Sequence, residues 1–446
     1  MKIISLEGNI GTGKSLFIEY IKNRHSNVDD IAFIPEPVDK WLELKDSDNS
    51  NILEKFYKDQ ERWSYSFQMN AFITRSKNLL NADPKKNIVS KYVGNMLNDT
   101  NDLTSPKFMT YPTLAYSPET SWEFGLSSLY IYLANRNINN RLSEVKAFTF
   151  YSLENQYGVW LDHALYTDKN IWFFYGKARF QDMPLKYFGI GKNTDKDIRE
   201  DVQGTFILLR QRFMREFRPS FYTGLEFDYQ RMSRVQFVPD PKQIDGITQP
   251  KKLPLPLGHK GSTNLGLGWG LMFNNIHNAM NPRDGFFSEW ALINYNKKLG
   301  SEFNLQSFMI DNRFYFPVSE KNVLAAQLYA QFTSGDAPFN LISLLGGENL
   351  MRGYYLGRYR DKNMVAGQVE YRLLPFGFSK RFGGSIFFAT GQVFSKNEKF
   401  KWRNFLPTGG AGLRFLVFPE KDIYTRLDIS FTEEGNGVYL LIGEAF

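Results

Sequence analysis

Apolar and polar residues alternate with a period of two over residues 108–446, and this pattern constrains the fold more than any other feature of the chain. In one representative segment, Phe221 and Leu225 lie at odd positions, whereas Glu226 and Asp228 lie at even positions. The same division recurs at 172–181, 324–332 and 423–431. Because successive side chains of a β-strand point to opposite faces, the pattern predicts strands with one apolar and one polar face. An apolar face of this kind suits lipid contact as readily as a packed core.

Roughly sixteen such segments, each about ten residues long, can be counted, an even number as in bacterial outer-membrane barrels. Aromatic residues make up 16% of the chain while its mean hydropathy is −0.39, a combination that favours strands with only one apolar face. A polar stretch over Phe237–Thr263 predicts a long loop. We therefore predict a mostly β fold, a transmembrane antiparallel β-barrel of about sixteen strands. A soluble β-sandwich is the alternative.

Charge and cysteine content narrow the function classes. The formal net charge is +7, but Lys and Arg are scattered among Asp and Glu, so no nucleic-acid partner is predicted. The chain has no cysteine, which excludes disulfides, thiolate metal sites and cysteine nucleophiles. Glu7 stands where a secretory signal peptide would need its apolar core, so no such signal is predicted.

A glycine-rich stretch joins a short apolar strand (residues 2–6) to an amphipathic helix and has the G-x-x-x-x-G-K-S spacing of a P-loop. Backbone N–H groups of such a loop converge on phosphate oxygens. The candidate nucleotide-binding residues are Gly8, Asn9, Gly11, Gly13, Lys14 and Ser15. Lys14 would reach the β/γ-phosphates and Ser15 would hold Mg²⁺, so ATP and Mg²⁺ are the predicted cofactors here. The alternative is a glycine-rich turn without a ligand.

The residues after the P-loop resemble the N-terminal part of the deoxyribonucleoside kinases. They read E-P-V-x-x-W from Glu36 to Trp41, then Y-x-D-x-x-R-W-x-x-x-x-Q from Tyr57 to Gln68. The resemblance implies that Glu36 is the general base for the nucleoside 5′-hydroxyl. It also implies that Trp41, Tyr57 and Gln68 line the sugar and base pocket. A carboxylate beside a P-loop can orient a hydroxyl group for phosphoryl transfer, so the chemistry is consistent.

The kinase pattern then stops. A complete family member would continue with E-R-S or D-R-S after a strand such as 87–89, but Ser90-Lys91-Tyr92 follows here. Four arginines that could form a kinase lid lie within segments that have the strand pattern. They are predicted to face a polar interior or a turn. They are Arg210, Arg212, Arg215 and Arg218. We therefore interpret residues 1–89 as a truncated α/β kinase fragment that neither folds alone nor transfers phosphate.

A second resemblance centres on Gly346–Tyr354 and the following Val365–Arg372. Both are similar to the bacterial surface antigen family, the barrel domain of BamA/TamA-like assembly factors, in which a long loop between the eleventh and twelfth strands folds into the barrel with an [IV]-R-G-[FY] tip. The loop occupies the same place in our strand count. The family's N-P-x-x-G turn is matched at Asn281–Phe286. The barrel-loop residues implied by the resemblance are Gly347, Arg352, Gly353 and Tyr354.

Two departures affect the tip of this loop. Met351 replaces the usual β-branched residue, and Ala389 stands where the family often has the Asp that pairs with the loop arginine. A buried guanidinium without a carboxylate is costly. Arg352 is therefore expected to use another acceptor, such as Glu370, or the loop is less tightly held. The final strand, 437–446, resembles the C-terminal sorting signal of outer-membrane barrels. That signal would involve Tyr439, Leu441 and Phe446.

These features predict an outer-membrane β-barrel of the assembly or translocation type over residues 90–446, without a cofactor. Its expected partners are outer-membrane lipid, the outer-membrane assembly machinery and client proteins. Catalysis is not expected; the alternative function is an ATP-dependent deoxyribonucleoside kinase with a C-terminal extension. A kinase works where ATP is, whereas a barrel must be exported, so the change in motifs at Asp83–Tyr92 suggests a recombined, mis-assembled or engineered junction in a chimera.

Overall fold

The protein is represented by a computed structural model, which divides into two compact units, Met1–Asp99 and Thr100–Phe446. The described residues are 17, 19–21, 24, 38–43, 45, 50–59, 62–63, 74, 104–117, 121–152, 156–182, 184–239, 252–395 and 401–446. The predicted boundary between residues 89 and 90 lies outside them and stays a prediction.

In the first unit, two short helices are described, Val38–Glu43 and Ile52–Lys58. The second begins with a capping box: the Asn51 side chain accepts a hydrogen bond from the Glu54 N–H (2.9 Å), and the Glu54 carboxylate accepts one from the Asn51 N–H (3.1 Å). Trp41 is buried. It packs against Ile52, Leu53 and Phe56. Across the described parts of the chain, no helix has the length and apolar character needed to cross a membrane.

The second unit is built from strands. In chain order they are β1 (Lys107–Ser117), β2 (Ser121–Leu133), β3 (Leu142–Ser152), β4 (Tyr157–Tyr166), β5 (Trp172–Asp182), β6 (Leu185–Tyr187), β7 (Glu200–Arg218), β8 (Phe221–Pro239), β9 (Ser262–Asn274), β10 (Gly285–Tyr295), β11 (Leu305–Pro317), β12 (Asn322–Gly335), β13 (Ser343–Leu345), β14 (Tyr359–Asp361), β15 (Asn363–Leu373), β16 (Phe382–Phe394), β17 (Leu406–Phe418), β18 (Ile423–Thr432) and β19 (Gly435–Ile442). Within the described ranges, sixteen strands have eight residues or more, and β6, β13 and β14 have three each.

The sixteen long strands form one antiparallel meander, in which each strand pairs with the next long strand in the chain. The ladder passes from β5 directly to β7 and from β12 directly to β15, because the short strands lie in the connections. The predicted number of strands and the mostly β fold are confirmed. In the part of the chain that the structure describes, no ladder joins β1 to β19, so the sheet does not close into a barrel.

The sheet buries its polar face and exposes its apolar face. In β8, Leu225 is 67% exposed, whereas Glu226 is 1% exposed and Asp228 is fully buried. In β18, Phe431 is 61% exposed, whereas Arg426 is 1% exposed. A soluble sandwich would bury the apolar face between two sheets. The exposed apolar face therefore does not fit the sandwich alternative. Large exposed apolar surfaces of this kind mark contact with a membrane or a partner.

Connections alternate between the two ends of the meander. One end, called the turn end, carries 134–141, 167–171, 219–220, 275–284, 318–321, 374–381 and 419–422. The other, called the loop end, carries the connections β1–β2, β3–β4, β5–β7, β8–β9, β10–β11, β12–β15, β16–β17 and β18–β19, of which 156, 184–199, 252–261, 296–304, 336–362, 395, 401–405 and 433–434 are described. The long loop predicted over Phe237–Thr263 falls on the connection between β8 and β9 at this end.

Candidate functional site

The connection 336–362 carries the candidate site. It joins β12 to β15, the eleventh and twelfth long strands, which confirms the position predicted for the loop. The small ladder between β13 and β14 closes the base of the connection. Residues 346–354, called the inserted loop, extend from this ladder. At its tip Met351 is fully buried and Arg352 is 1% exposed, so the tip lies inside the protein, as predicted.

Arg352 is held from three sides. Its Nη1 donates to Asp428 Oδ2 at 2.7 Å, and its Nη2 donates to Glu370 Oε2 at 2.6 Å. The guanidinium lies over the Phe387 ring, 3.4 Å from the centroid. The carbonyl oxygen of Arg352 accepts a hydrogen bond from the Thr408 hydroxyl. The predicted acceptor Glu370 is confirmed, and Asp428 is a second acceptor that the sequence analysis missed.

Both carboxylates are shared among several arginines. Glu370 also accepts from Arg372 Nε at 2.9 Å and from Arg414 Nη2 at 3.1 Å. Asp428 also accepts from Arg414 Nη1 at 2.6 Å and from Arg426 Nη1 at 2.7 Å. All of these side chains are at most 1% exposed. The cluster is therefore a network in which removal of any carboxylate affects three cations.

Glu444 extends this network beyond β19. Its carboxylate lies 3.0 Å from Arg414 Nη2 and 3.7 Å from Arg372 Nε. Four arginines therefore meet three side-chain carboxylates in the described cluster, and Arg372 also donates to the Phe446 oxygen at 3.1 Å. Glu370 and Asp428 each contact three arginines, so either carboxylate keeps two of them when Arg352 is removed. The inserted loop supplies one of the four cations.

Of the two alternatives for Arg352, another acceptor or a less tightly held loop, the structure shows the first. Ala389 is buried in an apolar cluster that also contains Met351 and Tyr354. The two departures from the family pattern, at 351 and 389, thus pack together, since a methionine fills space beside the small alanine. The carboxylates that hold the loop come from β15 and β18, and not from β16.

Position 353, the next one in the tip, requires glycine. Gly353 has φ = 103°, and a Cβ at this position would lie 2.6 Å from Thr432 Cγ2 and 3.1 Å from Ser430 Oγ. Its N–H donates to the Tyr439 hydroxyl at 2.9 Å. Positive φ and close approach both exclude larger residues. Tyr354 then donates its hydroxyl to the Pro407 carbonyl at 3.1 Å.

Residues 355–362, which lead from the inserted loop back to β15, are attached at the loop end. Arg358 makes two 2.6 Å contacts with the Glu434 carboxylate and donates to Thr194 Oγ1 at 2.7 Å. Tyr359 donates to Glu434 at 2.7 Å. Burial and this bond to Glu434 both raise the pKa of Tyr359, so the phenol stays a donor at neutral pH. Burial lowers the pKa of Arg360 to about 10, and its Nη2 donates to a carbonyl oxygen of the 183–199 connection at 2.8 Å.

The predicted sorting-signal residues do not share an outward face. On β19, Val438 and Leu440 are 65% and 68% exposed, whereas Tyr439 and Leu441 occupy the alternate face. Phe446 lies beyond the strand and is 4% exposed. Its carbonyl oxygen accepts from an arginine at 3.1 Å. Their assignment as a sorting signal stays a prediction.

Most residues predicted for the kinase-like segment lie outside the described residues. These are Gly8, Asn9, Gly11, Gly13, Lys14, Ser15, Glu36 and Gln68. Trp41 is buried and its Nε1 donates to Thr74 Oγ1 at 2.7 Å, whereas Tyr57 is 52% exposed. Among the described residues, no group of three or more His, Asp or Glu side chains is placed to hold a metal ion. The nucleotide, nucleoside and Mg²⁺ roles stay predictions.

The arginines considered for a kinase lid belong to the sheet. Arg210 Nε lies 2.5 Å from Asp228 Oδ2, and Arg212 Nε lies 2.7 Å from Glu226 Oε2. Both pairs lie on the buried polar face of β7 and β8, which confirms the prediction for these two arginines. Arg215 lies near the turn end, with its guanidinium over Trp172.

The N-terminal part is similar to deoxynucleoside kinases. The family model for deoxynucleoside kinase matches residues 4–163. A probable deoxycytidine kinase of fowlpox virus is 34% identical over 124 residues, which are 27% of this chain and 45% of that protein. Human deoxycytidine kinase is 34% identical over 87 residues, which are 17% of this chain and 32% of that protein. The chain spans less than half the length of these curated relatives.

The kinase match extends further than the first structural unit. It covers β1 to β3 and most of β4, which pair with one another and with β5 in the antiparallel ladder. In the structure, residues 107–163 therefore belong to the meander.

Solved structures resemble the sheet. CdiB from Escherichia coli aligns with a TM-score of 0.49 and 11% identity, over 77% of this chain and 63% of that chain. BamA from Haemophilus ducreyi lacking POTRA domains 1–3 aligns with a TM-score of 0.46 and 12% identity, over 76% of this chain and 69% of that chain.

A further family match covers most of the sheet. The Omp85 superfamily domain matches residues 163–416, more than half of the chain, and these residues include the inserted loop with Arg352 and its partner Glu370. Proteins of this superfamily reside in the outer membrane and act with assembly or translocation partners. The chain therefore belongs to the Omp85 superfamily and carries a deoxynucleoside kinase-like segment at its N-terminus.

Proposed function

We propose that the sheet unit assembles or translocates polypeptides at the outer membrane, with the inserted loop as part of the working site. The observation that carries this proposal is the inverted sheet with a loop latched inside it. Leu225 and Phe431 face outward, whereas Arg352 is held inside by Glu370 and Asp428. A polar interior suits a hydrated passage, and an apolar exterior suits lipid.

The contacts of Arg352 with Glu370 and Asp428 would hold the inserted loop in one conformation until the loop is displaced. Arg352 is the single cation of the cluster that the inserted loop supplies; the other three come from β15, β17 and β18. After its withdrawal Glu370 still accepts from Arg372 and Arg414, and Asp428 still accepts from Arg414 and Arg426. The loop can therefore leave without stranding an unpaired carboxylate, which lowers the cost of a second conformation.

Client assembly by the full chain provides the test. We expect vesicles that contain the refolded protein to accelerate insertion of an unfolded eight-stranded outer-membrane barrel over empty vesicles, measured as heat-modifiable migration of that client on gels. Arg352→Met should reduce the rate, because the loop loses its two carboxylate contacts. Lys298→Met, which changes a cation in an exposed turn of the loop end, is the matched control. Equal client rates in empty and protein-containing vesicles would rule out assembly activity.

For the N-terminal segment we propose retained nucleotide binding without useful phosphoryl transfer. Support comes from the P-loop residues Gly8, Lys14 and Ser15 and from the similarity to deoxycytidine kinases. ATP would be the nucleotide and Mg²⁺ its ion, with Ser15 as a ligand and Glu36 as the base if transfer occurs. The sequence Ser90-Lys91-Tyr92 replaces the motif that would help to hold the metal.

The competing function, an active deoxynucleoside kinase, is tested with the same full chain. With MgATP and deoxycytidine as probes, we expect ATP to bind and Lys14→Met to abolish that binding, since the lysine contacts the β/γ-phosphates in P-loops. Formation of deoxycytidine monophosphate should not exceed that of Lys14→Met. Lysine-dependent turnover would establish the kinase alternative.

A further inference from the structure

The connection between β9 and β10 lies across the turn end of the sheet. Residues 275–284, called the crossing segment, contact the β17–β18 turn: Asn281 Nδ2 donates to Asp422 Oδ2 at 2.8 Å, and Arg283 Nη2 donates to Asp422 Oδ1 at 2.8 Å. The same Nη2 donates to the Leu374 carbonyl at 3.0 Å. Because β10 and β18 are the ninth and fifteenth long strands, these contacts cross the interior and do not follow the ladder.

The crossing segment also reaches other turns. Arg283 Nη1 donates to the Glu320 carbonyl in the β11–β12 turn at 3.4 Å, and Asn278 Nδ2 donates to the Lys421 carbonyl at 2.9 Å. The Met280 carbonyl accepts from the Glu444 N–H, beyond β19, at 2.9 Å. One ten-residue connection thus ties together the turns of distant strands.

Apolar side chains lie beneath this set of polar contacts. Ile276 is 7% exposed and packs with Tyr315, Val323 and Phe446 in one buried cluster. Met280 is 2% exposed, and a Cβ at position 443 would lie only 3.0 Å from Met280 Cε. These apolar side chains are packed almost without contact to water, which adds to the attachment of the crossing segment.

The crossing segment and the inserted loop share one residue of the charge network. Arg372 Nη1 donates to the Pro282 carbonyl at 3.5 Å, and its Nε donates to Glu370 at 2.9 Å. Glu370 in turn holds Arg352 of the inserted loop. A displacement at either end therefore changes the contacts of Arg372, which gives a physical route for coupling.

A cavity of about 310 Å³ lies on one side of the crossing segment, between it and the β2–β3 turn. Its lining includes Ile276 and Arg283 from the segment, and Leu133, Ile138 and Leu142 from the strands around that turn. Movement of the segment into this space requires loss of the Asp422 contacts but displaces little packed protein.

We propose that the crossing segment is a turn-end gate, a second closure of the interior besides the inserted loop, and that Asp422 is its latch. The gate is inferred from these contacts, whereas the identity of the molecule that passes rests on the function proposed above. Opening requires that Asn281 and Arg283 leave Asp422.

Single-channel recording with the full chain in planar lipid bilayers tests the gate with salt ions as the probe. We expect Asp422→Asn to increase the time in conducting states about tenfold or more, because it removes charge-assisted contacts with Arg283. Asp336→Asn makes the same chemical change at an exposed position of the loop end, away from the crossing segment, and should behave like the unmodified protein. Equal conductance of all three proteins would overturn the gate.

A paired-cysteine variant keeps the test decisive if Asp422→Asn folds poorly. The chain has no cysteine, so Asn281→Cys with Asp422→Cys introduces a single pair at the latch. We expect low conductance under oxidising conditions and about tenfold higher conductance after reduction. Equal conductance before and after reduction would contradict the gate. Ion conductance that responds as expected while client insertion fails would overturn only the proposed assembly function.

Discussion

Replacement of Asp428 by asparagine is expected to lower the free energy of unfolding by about 3–5 kcal/mol, the cost of breaking a buried ionic cluster. The carboxylate accepts from Arg352, Arg414 and Arg426 at 2.6–2.7 Å and is fully buried. Asparagine has nearly the same volume, so no cavity contributes. The loss is electrostatic: four arginines would face two side-chain carboxylates in place of three.

Urea titration of the protein in lipid vesicles, followed by heat-modifiable migration, measures this effect. Asp336→Asn, an exposed position in the same connection as the inserted loop, should change the free energy by less than about 0.5 kcal/mol. Arg352→Met should cost less than Asp428→Asn, because Glu370 and Asp428 each keep two arginine partners without Arg352, whereas Asp428→Asn removes the acceptor of three arginines. This expectation would be refuted if Asp428→Asn unfolded at the same urea concentration as Asp336→Asn.

Replacement of Leu225 by arginine is expected to lower the stability in a bilayer by about 2–4 kcal/mol, the cost of a cation on the lipid face near the membrane midplane. Leu225 is 67% exposed and lies four residues from the start of β8, roughly 13 Å along the strand from the turn end. On a water-exposed surface the same substitution would change stability by only about 0.5 kcal/mol.

The matched control for this second experiment is Leu257→Arg. Leu257 is 48% exposed and lies in the 240–261 connection at the loop end, outside the strands. Folding yields in vesicles and urea midpoints should separate the two variants, with only Leu225→Arg impaired. Equal values for both would mean that the outward face of β8 is not in contact with lipid.

The strands could be predicted from the sequence because their signal is local. A period of two follows from the pleat of each strand, so the partition of Leu225 and Glu226 between faces did not depend on any distant residue. The same holds for the position of the inserted loop, which follows from counting strands. Alternation by itself looks the same whichever face turns inward. The predicted outer-membrane barrel supplied the direction, and the exposed Leu225 beside the buried Glu226 confirms it.

The partners of Arg352 could be predicted only in part from the sequence. Glu370 was expected, but Asp428 was not, although it stood on the polar face of 423–431. The two residues are 76 positions apart. Only the register and curvature of the sheet bring β18 beneath the loop, and this also explains why Ala389 does not loosen it.

The sequence by itself determined the strand period, the strand count, the loop position and the two family resemblances, because each depends on neighbouring residues. The tertiary structure alone decided that Asp428 completes the latch and that the crossing segment spans the turn end. Those features depend on how strands far apart in the chain are brought together by the curved sheet.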